Sequence, residues 1–426
     1  MSRIVTSVHR TSPRARDGKP SLGFLITLVV AVAAVNGTLL SNAILTLSLK
    51  SAAIDAAGAT TVLSIVVGIG SVFSLIGYPV FGRLSDRTLA KIGRRRPYLF
   101  AGAALLALGA VVTVVASNVP VLTLGWIITT LGAVSALVGA TALVPDQVAA
   151  EHRGPASAML GLGSPLGAIV GIFLAQLMQP NLAAMIFLPA AVSVVAVLVL
   201  AFTISDVALA RQERPPFLLR EFLATFWVNP VRHSAYGWAW WSRFMIFVGV
   251  AAVNAYQAFY LIIVHHIDPA TVGTAILVAG VISTALSMIF APLLAKVSDR
   301  VGRRKPFVIA SAVVFAIGLG LTAMATTYPM FLIAVAVIGI GQGVYFAVDY
   351  ALVMDVLPDA KNPAKDLGIM NLANALPPTL VTAVAPALLS IGASATNPQN
   401  FTALFLAGAA AAVVGAILIV PIRGVK

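Results

Sequence analysis

The sequence predicts an all-α integral membrane protein whose twelve transmembrane helices form two pseudo-symmetric six-helix bundles. Of the 426 residues 60% are hydrophobic and only 10% are charged, and the mean hydropathy is +1.00. A water-soluble chain of this length needs far more charge to cover its surface. The chain also divides into twelve apolar runs that are long enough to cross a bilayer, which takes about 20 residues. A charged motif that occurs twice then indicates two similar halves.

The predicted spans account for nearly the whole chain and leave no room for a large soluble domain. They are Leu22–Leu49, Thr61–Arg83, Pro97–Ala116, Val121–Val144, Pro155–Met178, Leu182–Ile204, Tyr236–Val264, Val272–Ala295, Pro306–Thr326, Pro329–Val356, Leu367–Ile391 and Phe401–Pro421. The corresponding organisation is an N-terminal tail (1–20), a first bundle (21–204), a polar central linker (205–235), a second bundle (236–422) and a short C-terminus (423–426).

The duplicated motif reads GRLSDRTLAKIGRRRP from Gly82 and AKVSDRVGRRKP from Ala295. Its acidic residues, Asp86 and Asp299, are 213 residues apart (299 − 86). The Pro-Asp pairs that begin at Pro145 and Pro358 have the same separation. We therefore predict two structurally repeated halves with this offset.

The basic residues predict the orientation. With the N-terminus inside, every Lys and Arg of the 27 except Lys50 lies on or near the cytoplasmic side. This is the positive-inside distribution, and it places both termini in the cytoplasm of a multi-pass plasma-membrane protein. The net charge of +13 thus reflects topology rather than nucleic-acid binding.

Other function classes are disfavoured. The chain has no cysteine, which excludes disulfides, thiolate metal sites and thiol catalysis. No phosphate-binding loop of a primary pump occurs. The adjacent His265 and His266 would point to different faces of a helix, so we predict no shared metal site. A membrane enzyme or redox subunit needs histidine ligands or catalytic acid clusters within the membrane, and no histidine lies in mid-span, so we predict no cofactor and no enzymatic activity.

The acid in each motif needs a partner. Asp86 is predicted at a helix C-terminus, where the helix dipole disfavours a carboxylate. It should pair with Arg87, with the Arg94–Arg96 cluster, or with the N-terminus of another helix. The alternative is a solvated positive loop with an incidental aspartate.

These motifs resemble the loop signature of the major facilitator superfamily of transporters. The first copy matches at Gly82, Asp86, Arg87, Gly93, Arg94, Arg95 and Arg96, and the second at Asp299, Arg300, Gly302, Arg303, Arg304 and Lys305. Ala295 replaces the leading glycine of the second copy, and Thr88–Lys91 lengthen the first by four residues. The ending GRRRPYLF is similar to the sucrose and glycoside symporter branch.

The resemblance implies alternating access around a cavity lined by helices 1, 4, 7 and 10. It also implies that Asp86 closes a cytoplasmic gate at the start of helix 11, near Asp366, and that Asp299 does so at helix 5, near Gly154. The expected partners are a small-molecule substrate, protons and the lipid bilayer, with the protein acting as a monomer.

Two ionisable residues, Arg243 and Asp349, are predicted within the membrane, at matching depths on helices 7 and 10. Such residues are costly in a bilayer and should be paired or face a cavity. One hypothesis is a pair whose breaking couples transport to protons. The other is an arginine that extends to the cytoplasmic surface and an aspartate with a static structural role.

Amides and aromatic rings suit a neutral polyhydroxylated ligand, and several are predicted on the cavity helices. The candidates are Asn36, Asn42, Asn254, Tyr256, Gln257, Tyr260, Gln342 and Tyr345. The alternative is that they make hydrogen bonds between helices. The predicted function is proton-coupled symport of a sugar or similar neutral solute, and the alternative is proton-driven export of drugs or metabolites.

Overall fold

The computed structural model describes residues 20–206, 232–358, 363–392 and 399–422, and these contain helices, turns and loops without strands. The predicted tail, most of the central linker, the C-terminus and Asp359 lie outside the described residues. Twelve helices are long and apolar enough to cross a membrane. They are α1 (Leu22–Ile54), α2 (Ala59–Asp86), α3 (Arg96–Val115), α4 (Val119–Gln147), α5 (Pro155–Leu177), α6 (Leu182–Thr203), α7 (Ser234–Ile263), α8 (Val272–Val301), α9 (Lys305–Met324), α10 (Tyr328–Asp355), α11 (Pro363–Ser390) and α12 (Phe401–Ile419).

Short turns join the helices, and polar caps begin several of them. Asn118, Asn181 and Thr327 each accept a hydrogen bond from a backbone N–H of the helix that follows. Such caps satisfy donors that have no partner within the helix. Inside the spans the backbone bonds to itself, as the lack of water in a bilayer requires.

α1 and α5 touch through their backbones. A Cβ atom added to Gly37 of α1 would lie 2.7 Å from the carbonyl oxygen of Gly167, and Gly171 packs against Gly37 as well. Small residues of this kind allow membrane helices to approach closely. Just beyond this contact, α1 widens into one π-helical turn over Asn42–Thr46.

The helix positions correct one of the matches between the two halves that were taken from the sequence. α3 and α9 start at Arg96 and Lys305 and so are 209 residues apart (305 − 96), and α4 and α10 have the same offset. The offset falls from 213 because the four residues Thr88–Lys91 occur only in the first loop. The counterpart of Asp146 is therefore Asp355, and the match with Asp359 was wrong.

The two halves meet closely at the end opposite the basic loops. Hydrogen bonds cross between them there, from Thr274 to Gln176 and from Gln399 to Thr60, both at 3.0 Å. One apolar cluster joins the two halves: its members in the first half, such as Leu45, lie near this end, and in the second half it extends to Ile422 beside Lys305. Towards the basic loops, the first half has a separate cluster of its own, which includes Leu28, Leu99 and Leu200.

Candidate functional site

A buried ion pair joins α7 to α10. Arg243 Nη1 lies 3.4 Å from Asp349 Oδ2, and the two side chains are only 11% and 3% exposed. Arg243 is nine residues after the start of α7, and Asp349 is six residues before the end of α10. At a rise of 1.5 Å per residue, both lie roughly 9–14 Å inside the helix ends. The structure thus brings together the two ionisable residues that the sequence indicated.

Arg243 has two further neighbours. Its Nε donates a hydrogen bond of 2.8 Å to Asn374 Oδ1 on α11. Its guanidinium lies over the ring of Phe247, 5.9 Å from the ring centre. The arginine therefore does not extend freely to the surface, since it is held between three helices.

Tyr345 belongs to this buried cluster and not to a cavity wall. Its ring is fully buried, one turn before Asp349. Its hydroxyl lies near Ser242 and Asp349 without a hydrogen bond of normal geometry to any described residue. Ser242 itself donates to the carbonyl oxygen of Gly415. The expectation that Tyr345 lines the cavity is therefore corrected.

An aromatic pair beside the ion pair was missed in the sequence. Phe247 of α7 stacks on Phe346 of α10 with ring centres 5.2 Å apart and planes 22° from parallel. Phe346 is 36% exposed. The sequence carried the signal, since Phe247 is four residues after Arg243 and Phe346 three before Asp349, so each lies on the same helix face as its charged neighbour.

Two tyrosines that were predicted to line the cavity are structural. Tyr256 is fully buried and shares a hydrogen bond of 2.6 Å with Ser64 of α2. Tyr260 donates to the carbonyl oxygens of Thr322 and Ala325 and packs edge-on against the ring of Phe405. Both tyrosines are therefore held by hydrogen bonds to neighbouring helices, which is the alternative stated for them from the sequence.

The amides divide into three groups. Asn42 accepts a hydrogen bond from Thr46 within the π-helical turn, and Asn36 donates to the carbonyl oxygen of Val32 in its own helix. Gln257 is buried, at 8% exposure. Asn254 and Gln342 are half-buried and bond to no other described residue, so their amide groups remain available to a ligand.

At the basic end, Arg95 is the centre of the first motif. It is only 4% exposed and contacts Asp146 and Asp86, each at 2.8 Å. Arg94 also pairs with Asp146. Burial opposes the charge of Arg95, but the hydrogen bonds and charges of Asp146 and Asp86 outweigh burial and raise the pKa of Arg95.

The comparison with protein families decides the classification. The model of the Major Facilitator Superfamily matches residues 24–291 and 266–425. This chain belongs to the Major Facilitator Superfamily. The predicted fold class and superfamily are thereby confirmed, and the protein is a transporter of that superfamily. The sucrose and glycoside branch stays a prediction.

Solved structures of the same fold include proteins with different cargoes. The nucleoside transporter NupG has a TM-score of 0.71 at 14% identity and covers 95% of this chain and 100% of its own. A peptide transporter, POT, in complex with sulfate has a TM-score of 0.72 at 16% identity and covers 96% of each chain. A D-xylose-proton symporter has a TM-score of 0.68 at 18% identity and covers 94% of this chain and 98% of its own. At these identities the likeness shows the fold alone.

One curated relative is matched over a short stretch. The multidrug resistance protein MdtL of Citrobacter koseri is 38% identical over 96 residues, which are 22% of this chain and 23% of that protein. The chain thus matches less than a quarter of the length of this relative.

In this superfamily member the first motif is anchored by a residue that sequence reasoning missed. Asp206, just after α6, accepts the backbone N–H groups of Arg95 and Arg96 at 2.6 and 2.8 Å. Gly93 has a φ of +110°, and a Cβ atom there would lie 2.2 Å from the Asp206 carboxylate. Asp206 thus caps the start of α3 from the segment that follows α6.

The second motif repeats this arrangement in part. Arg304 bonds to Asp355 at 2.5 Å, as Arg95 bonds to Asp146, and Gly302 ends α8 with a φ of +66°. Lys305 donates to the carbonyl oxygens of Val420 and Ile422. Arg300 and Arg303 are exposed.

The gate contacts implied by the family resemblance are not the ones observed. Asp86 is paired with Arg95 of its own half and its side chain is 53% exposed, so it is not buried against α11. Asp299 is exposed and makes no ion pair with any described residue. The expected closure by these two acids is therefore absent from this arrangement of the described residues.

Proposed function

We propose that the protein is a proton-coupled symporter that carries a sugar or similar neutral solute across the plasma membrane, with Asp349 as the proton acceptor. The ion pair between Arg243 and Asp349 supports this proposal most directly. Ionisable residues inside membrane spans are rare and mark ion or proton pathways, whereas a buried ion pair is weak evidence for stability.

The coupling follows from charge. When Asp349 is ionised, its attraction to Arg243 holds α7 and α10 together. When it is protonated, the attraction is lost and Arg243 has only its neutral partners. A proton thereby changes the relative stability of two arrangements of the helices, which is what a coupling ion must do.

The groups that remain available support this substrate class. Asn254 and Gln342 offer amide donors and acceptors for hydroxyl groups. The stacked rings of Phe247 and Phe346 offer an apolar surface for the face of a sugar ring. The mixture suits a small neutral solute that has both hydroxyl groups and an apolar face.

We assign the present arrangement to the cytoplasm-facing state. The halves are joined at the end opposite the basic loops. Asp86 is paired within its own half, and Asp299 is exposed. In the opposite state, Asp86 would reach the start of α11 and Asp299 the start of α5, so that both acids close the cytoplasmic gate.

The test is proton movement in proteoliposomes loaded with a pH-sensitive dye. Addition of one sugar from a panel of monosaccharides and disaccharides should acidify the lumen, because the proton enters with the solute. The Asp349→Asn variant should show no acidification. A flat response of folded wild-type protein to the whole panel would contradict sugar symport.

The second candidate is proton-driven export of drugs or metabolites. The local identity with MdtL favours it, as does the exposed ring of Phe346, which would bind a flat apolar compound. Under an imposed pH gradient, cationic dyes would then move against the proton flux, whereas sugars would leave the internal pH unchanged.

A further inference from the structure

Asn374 on α11 is the third member of the buried cluster, and the coupling scheme above gives it no role. It accepts a hydrogen bond of 2.8 Å from Arg243 Nε, although the two residues are 131 positions apart. Asn374 is half-buried, in a helix that packs on α7.

The geometry of Arg243 is unusual because its shorter contact is with the neutral partner. The amide oxygen lies at 2.8 Å, whereas the carboxylate oxygen of Asp349 lies at 3.4 Å. Hydrogen bonds between guanidinium and carboxylate are normally about 2.7–2.9 Å long. Asp349 Oδ2 is buried and makes no hydrogen bond to any described residue. The ion pair is therefore incomplete on its acidic side.

We propose that Asn374 is a positioning residue that holds the Arg243 guanidinium back from Asp349 and thereby keeps Asp349 able to accept a proton. The proposal rests on the proposed function, in which Asp349 is the proton acceptor. A carboxylate in close, bidentate contact with a guanidinium is strongly held in its ionised form. A contact at 3.4 Å without hydrogen-bond geometry stabilises the ionised form less, so protonation is easier.

Arg243 is the charged side chain that acts on the protonation of Asp349. Among the side chains that the structure describes, the ionisable groups that act on Asp349 are Arg243 of α7 and Tyr345 of α10. Tyr236 of α7 lies near Arg243 and also near Asp366 of α11. Phenols are neutral at physiological pH. Of these groups that act on Asp349, only the guanidinium is charged, so a change in its position changes the proton affinity of Asp349.

α11 also links the position of the Arg243 guanidinium to the relative position of the two halves. It packs on α2 of the first half, where a Cβ atom added to Gly68 would lie 2.9 Å from Thr382 Oγ1. A shift of α11 against α2 moves Asn374 and, with it, the guanidinium that it holds. The ease of protonation of Asp349 then depends on the conformational state of the transporter.

The test is the protonation midpoint of Asp349, measured by infrared difference spectroscopy of the purified protein across a pH series. The carbonyl band of the protonated acid is assigned by its absence in Asp349→Asn. In Asn374→Ala the guanidinium should close on the carboxylate and lower the midpoint by about one pH unit or more. Asn374→Leu, which keeps the volume of the side chain, should lower it in the same direction.

The matched control is Asn371→Ala, since Asn371 is exposed one turn earlier on α11. Its midpoint should equal that of the wild type. An unchanged or raised midpoint in the folded Asn374 variants would overturn the proposal, because Asn374 would then support the ion pair or leave it unaffected. A lowered midpoint together with an absence of proton-coupled uptake would support the role of Asn374 and reject the proposed function.

Discussion

At the scale of single residues, the proposed coupling mechanism centres on the carboxylate of Asp349, which is 3% exposed and incompletely paired. In that proposal, the charge state of Asp349 changes the relative energy of the two conformations, because an ionised group within a membrane span is costly. The consequence is measurable in transport.

Asp349→Asn should abolish proton-driven accumulation while leaving exchange of solute across the membrane intact, because the amide is isosteric but takes up no proton. Accumulation and exchange are measured with radiolabelled solute in the same proteoliposomes. Normal accumulation in this variant would remove Asp349 from the coupling role.

His265 is a second residue whose charge state the fold controls. It follows α7, and its two ring nitrogens are buried without hydrogen bonds to described residues. Tyr260 packs edge-on against its ring, with ring centres 4.8 Å apart. Burial, and to a lesser extent the charge of His266, lower the pKa of His265 below its ordinary value of 6.5.

The stability of the protein should therefore depend on His265 in acid. The folded state binds this proton less readily than the unfolded state, so its contribution is complete above pH 6.5 and is lost as the pH falls below that value. In His265→Phe the loss of melting temperature between about pH 7.5 and 5.5 should be smaller than in the wild type. Equal losses in the two proteins would show that the ring has no such effect.

At the scale of elements, the start of α3 depends on a backbone that only glycine adopts easily. Gly93 combines a φ of +110° with contact to the Asp206 carboxylate. Gly82 belongs to the same motif, but a Cβ atom there would meet nothing within 4 Å. The corresponding position of the second copy is already an alanine, Ala295. The two glycines therefore have different physical roles.

Gly93→Ala should destabilise the protein by about 1–3 kcal/mol, through backbone strain and through displacement of Asp206 from the N–H groups that it caps. Gly82→Ala, the matched control, should leave the melting temperature nearly unchanged. Both are measured by thermal unfolding in detergent. A Gly93→Ala protein as stable as the control would mean that the loop relaxes without strain.

The elements also show what the sequence could predict. Runs of about 20 apolar residues fix a membrane span from composition alone, so the twelve spans were predicted correctly. Which face of a span meets a neighbouring helix depends on packing, and the sequence does not show it. For this reason Tyr256 and Tyr260 were predicted to line the cavity. Asp206 and Asn374 were missed because their partners are 111 and 131 residues away in the chain.

The repeat illustrates a different limit. The pairs at Pro145 and Pro358 matched as letters at an offset of 213, yet the helices after the first loop follow an offset of 209. The correct counterpart, Asp355, follows from the helix offset of 209, and its bond to Arg304 supports the assignment. The same residue type at a fixed spacing was a weaker indication of structural equivalence than a bond to the equivalent arginine.

At the scale of the whole molecule, the two halves are joined at one end, and the hydrogen bond between Ser64 and Tyr256 is the most buried of the links that we describe. Ser64 also donates to the carbonyl oxygen of Thr60 in its own helix. Loss of the tyrosine hydroxyl therefore leaves the serine satisfied and removes mainly the link between the halves.

Tyr256→Phe should shift the population towards the opposite state by about fivefold, which corresponds to a net hydrogen bond of about 1 kcal/mol. Spin labels at Ala57→Cys and Ala270→Cys would report the separation of the halves, and no native cysteine interferes. Tyr328→Phe is the control, because that hydroxyl bonds to Ala275 within one half. Identical distance distributions in Tyr256→Phe and wild type would argue against the link.

The two motif acids should act on the rate of conformational change. Asp86→Asn and Asp299→Asn should reduce turnover more than apparent affinity, because each acid is proposed to stabilise a closed gate and not to bind solute. Initial rates over a range of solute concentrations separate the two effects. Unchanged maximal rates in both variants would contradict the gate assignment.

The backbone contact between α1 and α5 has a mechanical consequence. Where Gly37 meets Gly167 and Gly171, no side chain lies between the two main chains that could rotate aside or compress. The helix axes can swivel about this point but cannot drift apart or together without breaking the contact. A tilt of α5 would therefore move α1 directly through this backbone contact. Asn36, the residue before Gly37, would move with it.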